Sequence, residues 1–246
     1  MAPAFTLRNL LLSSQQQTLI MTIEPIAYYH TKVGTKFGVP RQSGLVPELR
    51  GEVVLEPQYS NPDALRGIDG FDYLWLIWEF SQVGRDGEWS ALVRPPLLGG
   101  NRPMGVFATR SPFRPNWLGL SSVRLLAVEN RGGRLILQVS GADLADGTPI
   151  YDIKPYVAYS DAHPSARCGF VDSNSWQCLD VHFPEHLKAL FSTDDYAALY
   201  RLLELDPRPQ YHSDPLRVYG MPFAGYDVRF TVSQDGVLEV VEVVKI

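Results

Sequence analysis

The 246-residue sequence has only two cysteines, Cys168 and Cys178, which excludes a disulfide scaffold. The expected compartment is therefore a reducing one, the cytoplasm. No apolar run reaches the roughly 18–20 residues that a membrane-spanning helix needs, so no membrane partner is expected. No convincing G-x-G-x-x-G fingerprint follows a strand-like stretch, which argues against a Rossmann-type nucleotide site. Internal repeats and low-complexity tracts are missing too. Nor is there an excess of positive charge: 22 Lys and Arg face 27 Asp and Glu, a formal net charge of −5. That balance argues mildly against a general nucleic-acid binder but does not exclude one, because local clusters steer binding more than the total does. Arg41, Arg50, Arg94, Arg102, Arg110 and Arg114 all fall in the first half, in or beside turn-rich segments.

Turn formers, by contrast, are plentiful. Twenty glycines and nineteen prolines are spread along a chain that is 45% hydrophobic, which suits many short strands better than a helical bundle. Residues 1–21 hold one arginine and a short apolar stretch without a signal-peptide core or cleavage site. They are expected to be a disordered extension, with Met21 a natural start. Strands are expected at Thr22–Tyr29, Gly51–Leu55, Tyr73–Phe80, Met104–Thr109, Ser122–Val128 and Arg134–Ser140, with a short helical turn at Asn61–Gly67. Tyr73–Phe80 is apolar almost throughout, as in a strand buried on both faces or a barrel stave. Asn130-Arg131-Gly132-Gly133 is a strong hairpin signal.

After Tyr159 the composition turns polar and linker-like. A helix is then expected from Pro184 to about Leu203, and a closing hairpin from Tyr226–Val232 and Val237–Val244. The expected fold is mainly β: a single β-barrel domain over 22–165, then a linker and a small C-terminal α+β domain over 166–246. Strand patterning alone leaves barrel and sandwich open.

Three stretches look chemical. Gly38–Gly44 reads GVPRQSG. Gly105–Asn116 reads GVFATRSPFRPN, a loop stiffened by two prolines and carrying two arginines able to grip carboxylates or phosphates. Asp143–Tyr156 reads DLADGTPIYDIKPY, in which Asp152, Lys154 and Tyr156 alternate to one side of an extended segment. Taken singly, each also suits a solvated surface loop or a surface ion pair. Cys168, Cys178, His182 and His186 imitate a zinc run. Their Cys–Cys spacing is wrong for common fingers and Pro184 interrupts the histidines, so no metal is expected.

The wording GVFATRSPFRPN, then Gly119-Leu120-Ser121, then DGTPIYDIKPY closely resembles the tRNA N6-threonylcarbamoyladenosine methyltransferase family. The resemblance extends through GVPRQSG, RGIDGFDYLW and VRPPLLGGN, from about Met21 to Tyr159, and more loosely to Leu205–Pro209 and Tyr211. It implies a β-barrel enzyme that uses S-adenosylmethionine to methylate N6 of threonylcarbamoyladenosine beside the anticodon of tRNA. It also implies a homodimer with the cofactor near the subunit interface. Cofactor contacts would come from Pro40, Arg41 and Gln42, from Ser81 and Gln82, and from Arg110, Leu120 and the turn Leu144-Ala145-Asp146-Gly147. Arg110 suits the methionine carboxylate, Asp146 the ribose hydroxyls or the amino group, and Leu120 the adenine face. Asp152 would serve as base or orienter, with Lys154 and Tyr156 positioning the threonylcarbamoyl group or a phosphate. Arg114, Asn116 and Trp117 are the expected RNA contacts, with Trp117 a stacking face for a base. Arg41, Arg110 and Arg114 are alternatively phosphate holders. Two departures stand out: Ser81 where members often have histidine, and Trp117 where they often have proline. A non-catalytic barrel that binds a ligand or RNA, and an enzyme of this fold with another substrate, are the rival readings.

Overall fold

The computed structural model describes residues 22–82, 89–95, 102–173, 177–208 and 214–246. The expected extension 1–21 lies outside the described residues. Strands are β1 Ala27–Thr31, β2 Arg50–Leu55, β3 Tyr73–Glu79, β4 Leu92–Val93, β5 Met104–Gly105, β6 Leu118–Arg131, β7 Arg134–Ser140, β8 Thr148–Pro155, β9 Asp180–His182, β10 Tyr219–Phe223, β11 Tyr226–Val232 and β12 Val237–Lys245.

Six of them close into a barrel in the order β1-β2-β7-β6-β3-β8. β8 makes the closure, pairing antiparallel with β1 (Ala27 opposite Ile150) and with β3 (Leu76 opposite Ile153). Alternation then sorts the side chains. Leu74, Leu76 and Trp78 of β3 point inward and pack with Tyr29, Val53, Val123, Leu137, Val139 and Ile150. Tyr73, Trp75 and Ile77 point outward, so the apolar β3 sequence is a barrel stave with an apolar outer face. Trp78 lies over Gly119 on β6, its register partner. A Cβ at Gly119 would stand 2.3 Å from the indole, closer than any side chain tolerates. The β6–β7 hairpin turns at Gly132 and Gly133, whose φ values of 62° and 86° require glycine, and Asn130 accepts the Gly133 N–H at 3.0 Å.

Some expected boundaries move. β1 starts at Ala27 rather than Thr22; Pro25, lacking an N–H, suits the unpaired lead-in. Met104–Thr109 is strand only to Gly105. Val106–Ala108 then forms a 3-10 turn, because the Thr109 amide and hydroxyl both fold back onto the Val106 carbonyl. β6 begins four residues before the expected Ser122, since ladder pairing with β3 holds the LGLS start in extended form.

The second unit is a four-stranded sheet in the order β10-β11-β12-β9. α1 Ala158–Asp161 opens the linker-like stretch. The helix expected from Pro184 splits into α2 Glu185–Lys188 and α3 Thr193–Glu204. Ser192 causes the restart: its hydroxyl accepts the Asp195 N–H at 3.2 Å and caps α3. Leu199 and Leu203 of α3 pack on Met221, Phe223 and Phe230 of the sheet. Val33, Val46 and Leu49, from the segment linking β1 to β2, join that same core.

Gly119→Ala is expected to cost about 1–3 kcal/mol by forcing the Trp78 ring aside. Gly70→Ala, with open space at its Cβ position, should stay within about 0.5 kcal/mol. Urea unfolding of both variants measures the contrast, and equal costs would refute the packing account.

Candidate cofactor site at the barrel mouth

Beyond Gly119 the inward face turns polar. The indole N–H of Trp78 donates to the Ser121 hydroxyl at 2.9 Å, and Ser121, 1% exposed, donates in turn to the Asp143 carboxylate at 2.5 Å. The hydroxyl thus accepts from one side and donates to the other, which fixes its proton. The Ser43 N–H and Asp143's own N–H also reach that carboxylate. Burial nevertheless dominates and pushes the Asp143 carboxyl above the usual carboxylate range, against the lowering effect of these donors and of the Arg110 charge.

Arg110 is exposed at the same mouth and donates to the Gln42 side-chain oxygen at 2.5 Å. The loop 40–44 and the loop 105–116 therefore meet through Gln42 and Arg110. Arg41, next in the chain, is directed elsewhere. It is partly buried and donates to the Asp206 carbonyl of the second unit at 3.2 Å, and burial lowers its proton affinity despite the Asp206 charge. Pro40 is buried beside it.

The turn 144–147 is pinned to the end of β1. Asp146 accepts the Thr31 N–H at 3.0 Å and faces the His30 ring at 3.3 Å, while the Gly147 N–H donates to the Tyr29 carbonyl at 2.8 Å. Leu144 and Ala145 are buried, so a ligand at this turn would meet mainly their backbone. Ser81 follows β3 with its N–H on the Glu79 carbonyl at 2.8 Å, and both Ser81 and Gln82 are exposed.

A second grouping lies on the outer face. Leu120, Ile77 and Asp152 form one cross-strand row over β6, β3 and β8, with Leu120 55% exposed. One row along, Lys154 stands beside Trp75 and pairs with Asp152 at 3.0 Å. Tyr156 packs on Trp75 and Tyr73, with ring centroids 5.6 and 6.2 Å apart. Leu120 and Ser121 are consecutive, so this outer row and the inner Asp143 line meet across the thickness of β6.

The loop 105–117 is braced from within. Arg114 donates to the carbonyls of Thr109 (3.1 Å) and Ser111 (3.2 Å). Asn116 is exposed. Trp117 adopts φ 48° while its carbonyl accepts the Phe80 N–H at 2.9 Å. Proline, locked near −65°, has no access to that conformation, so tryptophan here brings a different turn from the one proline would allow.

Two polar side chains near these loops were not singled out in the sequence. Asp143 lies inside the DLADGTPIYDIKPY stretch, between the buried Ala142 and Leu144. Glu79, at the end of β3, is 8% exposed and accepts the Tyr151 hydroxyl. The imitation zinc run disperses: Cys178 meets Arg201, and His182 stands 3.6 Å from Glu239. Among the described residues no cluster of three metal-type side chains forms. A separate cleft of about 210 Å³ is lined by Lys32, Arg50, Asp194 and Asp195. Four of its charges are paired, Lys32 with Asp195 at 2.6 Å and Arg50 with Asp194 at 3.1 Å, and Glu48 also lines it.

Residues 28–162 match the family model described as the tRNA-methyltransferase O N-terminal domain, and residues 177–246 match the TrmO C-terminal domain. The Escherichia coli (strain K12) tRNA (adenine(37)-N6)-methyltransferase is 38% identical over 221 residues, spanning 87% of this chain and 94% of that protein. A Pseudomonas aeruginosa protein whose name proposes an S-adenosylmethionine-dependent methyltransferase is 38% identical over 230 residues, 90% of this chain and 97% of that one. A crystal structure of TrmO from P. aeruginosa superposes with a TM-score of 0.73 at 33% identity, covering 94% of this chain and all of that chain (100%).

The raised Asp143 carboxyl predicts a pH effect of definite sign. Between the ordinary aspartate range, about 4, and its higher native value, the folded protein holds a proton that the unfolded chain has lost. Stability therefore falls as pH rises through that window. Asp143→Asn should remove this slope from a profile of Tm against pH, and a parallel profile would show that the carboxyl is not desolvated.

Proposed function

Because this chain belongs to the tRNA-methyltransferase O family, we propose that it methylates N6 of threonylcarbamoyladenosine beside the anticodon of tRNA, with S-adenosylmethionine as methyl donor. The observation that carries the reading is the match of both parts of the chain to a tRNA (adenine(37)-N6)-methyltransferase across 94% of that protein's length. The donor set at the barrel mouth fits such a cofactor. Arg110 offers a bidentate fork for the methionine carboxylate, Leu120 an apolar face for adenine, and the Leu144–Gly147 turn backbone groups and the Asp146 carboxylate for the ribose. Gln42, held by Arg110, and Pro40, Ser81 and Gln82 are assigned to the same cofactor, with Arg41 bracing the 40–44 loop from behind.

The cofactor supplies an electrophilic methyl group, and the protein's contribution is alignment and charge placement. The acceptor nitrogen carries an acyl-type substituent that delocalises its lone pair and acidifies its N–H. Asp152, half exposed on the outer row with Leu120, is assigned to orient that N–H or accept its proton. Lys154 holds the Asp152 carboxylate in place and offers a cation to the threonyl carboxylate. Tyr156, on its aromatic shelf of Trp75 and Tyr73, bounds the substituent. Arg114, Asn116 and Trp117 present the 105–117 loop to the RNA. The exposed apolar groups of the outer face, Tyr73 and Leu120, support a homodimer with the site near the subunit interface. No helix among the described residues is long and apolar enough to cross a membrane, and a cytoplasmic setting accompanies a tRNA substrate.

Labelled S-adenosylmethionine should transfer its methyl group to tRNA carrying threonylcarbamoyladenosine and not to unmodified transcript. Cofactor binding with no transfer to either RNA would refute this substrate. Asp152→Asn is expected to lower kcat by about 100-fold or more with KM for the cofactor little changed, and near-normal turnover would end the assignment of Asp152.

A further inference from the structure

We propose that Asp143 binds the α-ammonium of the cofactor's methionine moiety, alongside Arg110 on its carboxylate, so that the barrel mouth reads an amino-acid zwitterion. The inference rests on the functional reading above and deepens it. Asp143 is half-buried, and a carboxylate withdrawn from water is ordinarily paired with a cation, yet among the described residues no ion pair joins Asp143 to one. Its neighbours are neutral donors: the Ser121 hydroxyl at 2.5 Å, the Ser43 N–H and its own N–H. An ionised carboxylate has about four acceptor sites, so three donors leave one open. The one cation whose charge bears on it, Arg110, spends its short hydrogen bond on Gln42 instead.

A cation of the right kind completes this arrangement. The ammonium and carboxylate of an amino acid hang on one carbon, so a ligand that offers both needs an anion and a guanidinium close together. Asp143 and Arg110 are that pair. Asp146, in the turn that follows, lies at the end of β1, where one of its oxygens meets the Thr31 N–H and the His30 ring, and it is assigned above to the ribose. The line from Trp78 through Ser121 holds the Asp143 carboxylate in one orientation before any ligand arrives, so little ordering remains to be done on binding. One further group belongs to this neighbourhood: the buried Tyr29 hydroxyl lies within the electrostatic reach of Asp143 and of Asp146.

The test compares two ligands by calorimetry on the full chain: S-adenosylhomocysteine, which has the amino-acid moiety, and 5′-methylthioadenosine, which lacks it. Asp143→Asn should weaken S-adenosylhomocysteine about 10–100-fold, as for lost hydrogen bonds to a charged group, and change 5′-methylthioadenosine by less than about threefold. Asp146→Asn should not discriminate between the two. An equal loss for both ligands, or no loss for either, overturns the assignment of Asp143 while leaving cofactor binding intact. Wild-type protein that binds neither ligand overturns the functional reading, and this inference with it. Should Asp143→Asn fail to fold, Ser121→Ala removes the hydroxyl that aims the carboxylate. It should then show the same ligand contrast at roughly tenfold, and a Ser121→Ala variant without that contrast overturns the proposal.

Discussion

An indole ring lying on a glycine sets the chemistry of this molecule. With no side chain at Gly119, Trp78 reaches along the inner wall of the barrel and donates its N–H to Ser121. Ser121 accordingly turns its own proton toward Asp143. Each step depends on the one before it. A displaced indole would free the Ser121 hydroxyl to rotate, and the desolvated carboxylate would lose its most direct donor. The interior of the barrel is close-packed hydrocarbon up to Trp78 and a directed polar line beyond it. The boundary between core and site is thus a single side chain that belongs to both.

The segment between β1 and β2 gives the mouth its other wall. Val33, Val46 and Leu49 are buried in the core built around α3 and the C-terminal sheet, not in the barrel. The loop 40–44 between them is therefore anchored in one unit while Gln42 and Ser43 face residues of the other. Arg41 strengthens the anchor through the Asp206 carbonyl, and Lys32 with Asp195 and Arg50 with Asp194 clasp its ends. The exposed members of these ion pairs contribute little each. The buried apolar residues carry the attachment, and the charges set its register.

Much of this was legible in the sequence, and what was not has physical causes. Period-two alternation and turn residues located most strands and the β6–β7 and β11–β12 hairpins, because those signals are local; the β10–β11 hairpin, which turns at Ala224-Gly225, was not located. The LGLS start of β6 and the full length of β8 were not located, since each is held by ladder partners distant in the chain. The helix after Pro184 was expected to be continuous because its composition allows it; the Ser192 cap, a one-residue effect, ends that continuity. The motif DLADGTPIYDIKPY drew attention to its segment, and Asp146 was assigned there while Asp143 was passed over. Composition ranks two aspartates alike. Burial separates them, and burial becomes visible only once Ala142 and Leu144 are known to face the core.

The outer face shows how one strand serves two purposes. Ser121 points into the barrel toward Asp143, and Leu120, its neighbour, points out beside Ile77 and Asp152. A ligand lying over the mouth and lapping onto the outer face would touch both sides of β6 through adjacent residues, which ties the two sites to one rigid element. Loop 105–117 borders this junction and is held by its own contacts, Arg114 on two carbonyls and Trp117 in a left-handed turn that proline has no access to. A tryptophan there costs backbone strain of about 1–3 kcal/mol, so the turn persists only because its surroundings hold it. The Phe80–Trp117 hydrogen bond is one such restraint, and it places the strained residue directly against the end of β3, where Ser81 begins. Ser81 and Trp117 are thus neighbours in space, joined through one local stretch of the rim.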